Sequence, residues 1–148
     1  MKKILIATDD GPNAEKVASA GMRLAQQLSA EVALVSVVDT QFLMTEGAVS
    51  PRELVDSMKE DFRKSQELME EKIFRGISLL KFIEEGSPHE MIIKVAGEWN
   101  ADLIVIGTHG RTGLSHLLMG SVAEKVIRHS SRPLYVIPTK EAEITTQQ

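Results

Sequence analysis

Glycines, hydroxyl groups and basic side chains are concentrated in one stretch of the sequence, residues 107–121, which reads GTHGRTGLSHLLMGS. Gly107, Gly110 and Gly120 are separated by two and by nine residues, and Ser121 follows the last of them. The stretch contains no Asp or Glu, although the chain has 21 acidic residues. Glycines let backbone N–H groups come close to a ligand, and the amino end of a helix attracts a phosphate group. The spacing and the composition therefore predict a phosphate site.

Four residues of this stretch and of the segment after it are predicted to hold the phosphate groups: Gly110, Gly120, Ser121 and Val122. The two glycines would bring their N–H groups within hydrogen-bond distance. Ser121 would add a hydroxyl, and Val122 would add the N–H of a helix that begins here. Ser121 and Glu124 also fit a capping box, with the serine as the N-cap of that helix. The two roles of Ser121 are compatible.

The complete pattern G-x2-G-x9-G-(S/T) resembles the hallmark of the universal stress protein family, in its nucleotide-binding branch. Family-like features extend from Lys2 to Pro138. The resemblance implies that the cofactor is ATP, or AMP or ADP, with Mg²⁺ or Mn²⁺. It favours a regulatory or stress-response module without a dedicated reaction. The alternative is a slow ATPase or another nucleotide-dependent enzyme. The sequence does not identify the metal ligands.

The resemblance places the other side of the site at the ends of the first two strands. Asp9 is expected to contact the ribose or the adenine. A metal contact, or a cap on the first helix, is the alternative, and the adjacent Asp10 competes for the same role. The backbone of Val37 is expected to recognise adenine, and Ala7 to line the same wall.

Three residues of the glycine-rich stretch complete the predicted site. Gly107 would end the fourth strand and let the ribose approach. His109 would contact ribose or phosphate, and the alternative is an exposed loop histidine without a ligand. Arg111 would reach the terminal phosphates or remain in solvent.

Alternating strands and helices position these residues. Apolar or β-branched runs predict strands at residues 4–7, 32–38, 77–83, 103–106 and 133–138, and helical spacing predicts helices at 14–28, from 51 to about 75, from 88 to 99, and from 121 onward. The pattern predicts a single α/β domain, residues 1–138, with an open parallel five-stranded sheet, helices on both faces and a frayed polar tail at 139–148. The resemblance implies the strand order 3-2-1-4-5, in a Rossmann-like or adenine nucleotide α hydrolase-like fold. The chain then reverses direction between strands 1 and 4, where ligands of such sheets bind.

Several classes of function are disfavoured by composition. The chain has no cysteine, which excludes disulfides and thiol chemistry. The formal net charge of −4 argues against a nucleic-acid surface, and no apolar run reaches the roughly 18 residues of a membrane span. The amino-terminal apolar run is interrupted early by two aspartates, so we expect a cytoplasmic protein. The Walker pattern G-x4-G-K-(S/T) is missing, which disfavours a P-loop enzyme.

The fifth strand is predicted to form a homodimer. Its residues, Leu134, Tyr135, Val136 and Ile137, are too apolar for a bare sheet edge, and the flanking prolines are typical of an edge strand. The resemblance implies the same contact, antiparallel about a two-fold axis. The alternative is a monomer whose tail covers the edge.

Overall fold

The computed structural model describes residues 2–41, 51–110 and 119–139, and within them the chain forms one parallel sheet flanked by helices. The elements in chain order are β1 Lys3–Ala7, α1 Ala14–Leu28, β2 Glu31–Asp39, α2 Pro51–Lys72, β3 Leu79–Gly86, α3 Pro88–Trp99, β4 Leu103–Gly107, α4 Ser121–His129 and β5 Leu134–Ile137. The sheet has five parallel strands in the order β3-β2-β1-β4-β5. The predicted fold class and strand order are confirmed.

The central strand β1 is apolar on both faces because helices cover both sides of the sheet. Ile4 and Ile6 pack on the side of α1 and the end of α2, whereas Leu5 packs on the side of α3 and α4. All three side chains are fully buried. The contact with α1 is close: a Cβ on Gly21 would lie 2.5 Å from Ile6 Cδ1. The continuous apolar run therefore reflects burial from two directions.

Helix α2 is fixed to β2 and β3 by a buried polar contact. Gln66 Nε2 donates hydrogen bonds to Ser36 Oγ and to the carbonyl of Phe82, each at 3.0 Å. Gln66 and Ser36 are both buried, so these bonds satisfy groups that would otherwise be costly to remove from water. At the surface, hydrogen bonds from Arg52 and Lys59 lower the pKa of Glu85 to about 2. Such exposed pairs contribute little stability, so the buried contact and apolar packing place the helix.

Two predicted element boundaries are wrong. Strand β3 runs from Leu79 to Gly86 rather than over residues 77–83, because the chain makes a further turn after α2. In that turn the N–H of Phe74 donates to the carbonyl of Met69, and the Phe74 side chain is buried. The second wrong boundary is the end of α2, which lies at Lys72 rather than near residue 75, and Gly76, with φ +79°, follows the turn. Burial of Phe74 thus delays the strand.

The amino terminus of β1 is held by one carboxylate. Asp102 accepts hydrogen bonds from the backbone N–H groups of Lys2 and Lys3, each at 2.9 Å. These two donors lower the pKa of Asp102 below its ordinary value of 3.8. Asp102 returns the contact through its own N–H, which donates to the Lys3 carbonyl at 2.8 Å.

This carboxylate should make stability depend on pH in a defined direction. Because the pKa of Asp102 is lower in the folded protein than in the unfolded chain, the ionised carboxylate adds to the free energy of unfolding at pH values above the unfolded-state pKa. This added stability is lost as the pH falls through the folded-state pKa. We expect Asp102→Asn to reduce the free energy of unfolding at pH 7, and the deficit to shrink between pH 4 and pH 2. Urea unfolding of both proteins at a series of pH values from 7 to 2 measures this difference in the free energy of unfolding. Glu98→Gln, an exposed substitution beside Lys94, is the control. A deficit independent of pH would contradict the assignment.

Candidate functional site

The strand order places a topological switch point between β1 and β4, where a crevice is expected because the chain leaves the two strands in opposite directions. From β1 the chain passes to α1 on one face of the sheet, and from β4 it passes toward α4 on the other face. The two loops start side by side because the strands are neighbours, with Ile6 paired to Val105. A crevice of this kind, beyond the carboxyl ends of parallel strands, is where ligands bind in open α/β sheets.

Asp9 lies on the β1 side of this crevice and faces Gly110. Its Oδ1 accepts a hydrogen bond from the Gly11 N–H at 2.8 Å, and a Cβ on Gly110 would lie 3.1 Å from its Oδ2. Asn13, not Asp9, is the N-cap of α1. The alternative interpretation of Asp9 as a helix cap is therefore wrong. The Asp9 carboxylate therefore occupies the space that a side chain at position 110 would need.

The hydroxyl of Thr8 is a second polar group at the end of β1. The Thr8 N–H continues the ladder to β2 by donating to the Val35 carbonyl at 3.0 Å. Its Oγ1 is buried, and within the described part of the chain it has no hydrogen-bond partner. Sequence reasoning did not select this residue. A buried hydroxyl without a partner is uncommon and indicates a site for an additional polar group.

Strand β2 continues past the end of β1 and forms a wall of the crevice. Ala7 pairs with Val35, and β2 runs on to Asp39. The Val35 carbonyl points toward β1, since it accepts the Thr8 N–H. Backbone direction alternates along a strand, so the N–H and C=O of Val37 point the same way, beyond the last residue of β1. Val37 thus presents one donor and one acceptor at this wall, and Ala7, nearly buried, lies next to it.

Gly107 is required by packing inside the protein. A Cβ at this position would lie 2.8 Å from Val17 Cγ2 and 2.9 Å from Thr139 Cγ2. Both distances are shorter than real Cβ contacts, so a larger residue would force the side chains of Val17 and Thr139 to shift. This explains the first glycine of the pattern without a ligand. The predicted approach of a ribose to Gly107 stays a prediction.

His109 is buried rather than exposed. Its Nδ1 lies 3.0 Å from Thr108 Oγ1, and its N–H donates to Thr139 Oγ1 at 2.8 Å. Only 5% of the residue is accessible. The alternative interpretation as an exposed loop histidine is therefore wrong, and two threonines fix the position of its ring and backbone.

Gly120 and Ser121 differ from their predicted roles at the amino end of α4. The Gly120 N–H donates to the Thr108 carbonyl at 2.6 Å, so it is used within the protein and is not available to a phosphate. Gly120 is also the N-cap, and Ser121 is the first residue of the helix. The predicted capping box is therefore wrong. The reason is that the Gly120 N–H is bound to the Thr108 carbonyl while Gly120 has an extended backbone, with φ −73° and ψ 165°. Gly120 is therefore the last residue before the helix, and Ser121 is the first residue within it.

The first turn of α4 has backbone N–H groups that the helix leaves without an acceptor. The N–H groups of Ser121, Val122 and Ala123 have no acceptor within the helix, because the first intrahelical bond is made by Glu124 to the Gly120 carbonyl. Among the residues that the structure describes, no side chain caps this end. Uncapped N–H groups at a helix start favour an anion.

Some predicted features lie outside the described residues or have no counterpart within them. Arg111 falls in residues 111–118, which the structure does not describe. Over residues 2–41, 51–110 and 119–139, no group of three or more His, Asp or Glu side chains could hold a metal ion. Among the same residues, no helix is both long and apolar enough to cross a bilayer.

Comparison with known proteins places the chain in one family. The profile of the universal stress protein family matches residues 1–138. Universal stress protein MJ0531 of Methanocaldococcus jannaschii is 35% identical over 147 residues, covering 95% of this chain and 85% of the relative. Universal stress protein MJ0577 of the same organism is 30% identical over 158 residues, covering 95% and 97%.

Solved structures give the same result. The structure of MJ0577 superposes with a TM-score of 0.83 at 32% sequence identity, covering 95% of this chain and 98% of that one. The universal stress protein UspA from Lactobacillus plantarum superposes with a TM-score of 0.80 at 22% identity, over 92% of this chain and 97% of its own, which shows the shared fold. Since the family profile and these relatives span nearly the whole sequence, the chain belongs to the universal stress protein family.

Proposed function

We propose that the protein binds an adenine nucleotide, ATP or its products AMP and ADP, in the crevice between β1 and β4. The observation that carries the proposal is the start of α4, which no described side chain caps and which lies against Thr108 and His109, in a stretch of sequence without negative charge of its own. Such a helix start attracts phosphate. The partnerless hydroxyl of Thr8 at the same crevice would gain a hydrogen-bond partner from a bound nucleotide.

The ligand would lie across the carboxyl ends of β2, β1 and β4. Adenine would contact the backbone of Val37 and the wall formed by Ala7. The ribose would lie near Asp9 and Gly107.

At the other end of the crevice, the phosphates would accept hydrogen bonds from the Gly110 N–H and from the N–H groups of Ser121 and Val122. The Ser121 hydroxyl would add a further donor. His109 would contact the ligand through the ring edge that faces away from Thr108. Arg111 is proposed to reach the terminal phosphates. A bound Mg²⁺ or Mn²⁺ would neutralise phosphate charge beside Asp9, although the described residues identify no complete set of metal ligands.

We propose a regulatory role rather than a dedicated reaction. Hydrolysis would need a group positioned to activate water, and the Walker lysine pattern is absent from the sequence. Binding itself would then be the signal, read by a partner that distinguishes the loaded from the empty protein. Slow ATP hydrolysis is the competing possibility, and release of phosphate from bound ATP would reveal it.

The test is calorimetric titration of the purified protein with ATP, with and without Mg²⁺. We expect saturable, near-stoichiometric binding and a rise in the melting temperature. AMP, ADP and cAMP are titrated in parallel. Cyclic AMP is included because a universal stress protein with the same fold has been solved in complex with cAMP. Absence of both heat and thermal stabilisation at millimolar ATP would refute the proposal.

A further inference from the structure

Thr139 follows β5 by two positions and is almost completely buried, with 3% of its surface accessible. Its hydroxyl oxygen accepts the His109 N–H at 2.8 Å and donates to the His109 carbonyl at 3.2 Å. One side chain thus satisfies both backbone groups of His109. The predicted fraying of the tail therefore does not apply to its first residue.

Thr139 also contacts Thr108 in two ways. The Thr139 N–H donates to Thr108 Oγ1 at 3.0 Å, and the two hydroxyl oxygens are 3.2 Å apart. Because Thr139 Oγ1 gives its proton to the His109 carbonyl, a hydrogen bond between the hydroxyls requires Thr108 to be the donor. The Thr108 hydroxyl is thereby oriented, and it lies 3.0 Å from His109 Nδ1.

The methyl group of Thr139 closes the remaining side of the same loop. Its Cγ2 would lie 2.9 Å from a Cβ on Gly107, so the methyl group occupies the space that a side chain at this position would need. Residues 107–110, here called the glycine loop, are therefore held by Thr139 at both Gly107 and His109. The loop in turn receives Gly120, whose N–H donates to the Thr108 carbonyl at 2.6 Å.

We infer that Thr139 is a positioning residue for the nucleotide site, acting on the ligand through the glycine loop. The inference deepens the proposed function and, for its binding readout, rests on it. Without the Thr139 hydroxyl, the buried N–H and C=O of His109 would lose their partners, and the loop would have to move to regain water or other partners. Gly110 would then leave its position facing Asp9, and the contact that anchors the start of α4 would loosen.

Three variants separate this role from simple core filling. Thr139→Val keeps the shape but removes the hydroxyl, Thr139→Ala removes the hydroxyl with less steric risk, and Thr139→Ser keeps the hydroxyl and loses only the methyl. Val95→Ala is the matched control, since Val95 is buried on α3 in the core cluster of Leu5 and Ile104, whereas Ile137, which precedes Thr139, lies in the other core cluster. We expect it to lower stability through a loss of core packing alone.

The first measurement needs no ligand. Amide hydrogen exchange, followed by NMR, should be at least tenfold faster at His109 and Gly120 in both hydroxyl-free variants than in the wild type. The exchange of core amides in β1 is measured in the same samples, to correct for any change in global stability. Thr139→Ser and Val95→Ala should leave the exchange of both amides unchanged relative to those core amides. Unaltered exchange in both hydroxyl-free variants would overturn the inference.

The second measurement is calorimetric titration with ATP. We expect Thr139→Val and Thr139→Ala to bind at least tenfold more weakly than the wild type, whereas Thr139→Ser and Val95→Ala bind within threefold of it. If the wild type binds ATP and the hydroxyl-free variants bind equally well, the positioning role is refuted. If the wild type fails to bind, the proposed function is refuted, and the exchange measurement alone decides the effect of Thr139 on the loop.

Discussion

Replacing Gly120 by valine should weaken ATP binding at least tenfold, about 1.4 kcal/mol, while the protein stays folded. A Cβ at this position would lie 3.2 Å from the Thr108 carbonyl oxygen and 3.6 Å from the His109 Cα. A branched side chain would therefore push the start of α4 away from the glycine loop. The backbone dihedral angles of Gly120 are ordinary, with φ −73°, so crowding rather than strain is the cause.

A graded series makes the Gly120 result specific. The ATP affinity of Gly120→Ala should lie between those of the wild type and Gly120→Val, because its single methyl group meets the Thr108 carbonyl oxygen at a tight distance. Gly97→Ala, within helix α3, is the matched control. The neighbour found for a Cβ at this position is Arg132 Nη1, at an ordinary contact distance of 3.9 Å, so the added methyl group should cause no crowding. Ser121→Ala should be milder, because the backbone donors of α4 remain. The site assignment fails if calorimetry finds wild-type affinity in a folded Gly120→Val protein.

The other large effect is expected at the sheet edge, where Tyr135→Asp should convert a homodimer into a monomer. Strand β5 pairs only with β4 in the described sheet, and its Tyr135 side chain is 42% exposed. An apolar edge strand with open backbone groups favours pairing with a second copy. A carboxylate at this position would have to lose water in such an interface, which is costly without a partner.

Sedimentation equilibrium at micromolar concentration measures this effect. We expect the wild type to have twice the chain mass and Tyr135→Asp to approach one chain mass. Val136→Asp should act in the same direction, although this side chain is half-buried and stability must be checked as well. Tyr135→Phe is the control, because it keeps the ring and should leave the mass unchanged. A wild-type mass of one chain would exclude the dimer.

The sheet was predictable because its strands are encoded locally. Buried parallel strands appear as continuous apolar runs, so β1, β2 and β4 were located to within one residue at each end. Strand β3 was misplaced because its start depends on where Phe74 is buried, which is a tertiary contact. The capping pattern at Ser121 failed for a related reason, since Gly120 is bound to Thr108, a residue twelve positions earlier that only the folded loop brings near.

The placement of the loops after β1 and β4 side by side was predictable from the strand order that the family resemblance implied. Gly110 and Asp9 do lie opposite each other, at the crevice where the strand order had placed them. Thr139 was missed because nothing in the polar segment around it distinguishes a residue that returns to the site from 30 positions away. One signal could have suggested Thr139. It is a hydroxyl residue just beyond the end of β5, the strand that pairs with β4, from which the glycine-rich stretch begins.

The position of β1 in the middle of the sheet has a consequence for synthesis on the ribosome. Lys2 and Lys3 are made well before the carboxylate that holds them, which lies 100 and 99 positions later. After β2 is complete at Asp39, a further 63 residues, 40–102, must be translated before β4 begins at Leu103, which takes on the order of 3 to 13 seconds. During this interval β1 can pair with β2 along one edge, but the backbone groups along its other edge lack the partner strand β4. The strand that is most completely buried in the finished protein is thus the one that waits longest for its second neighbour.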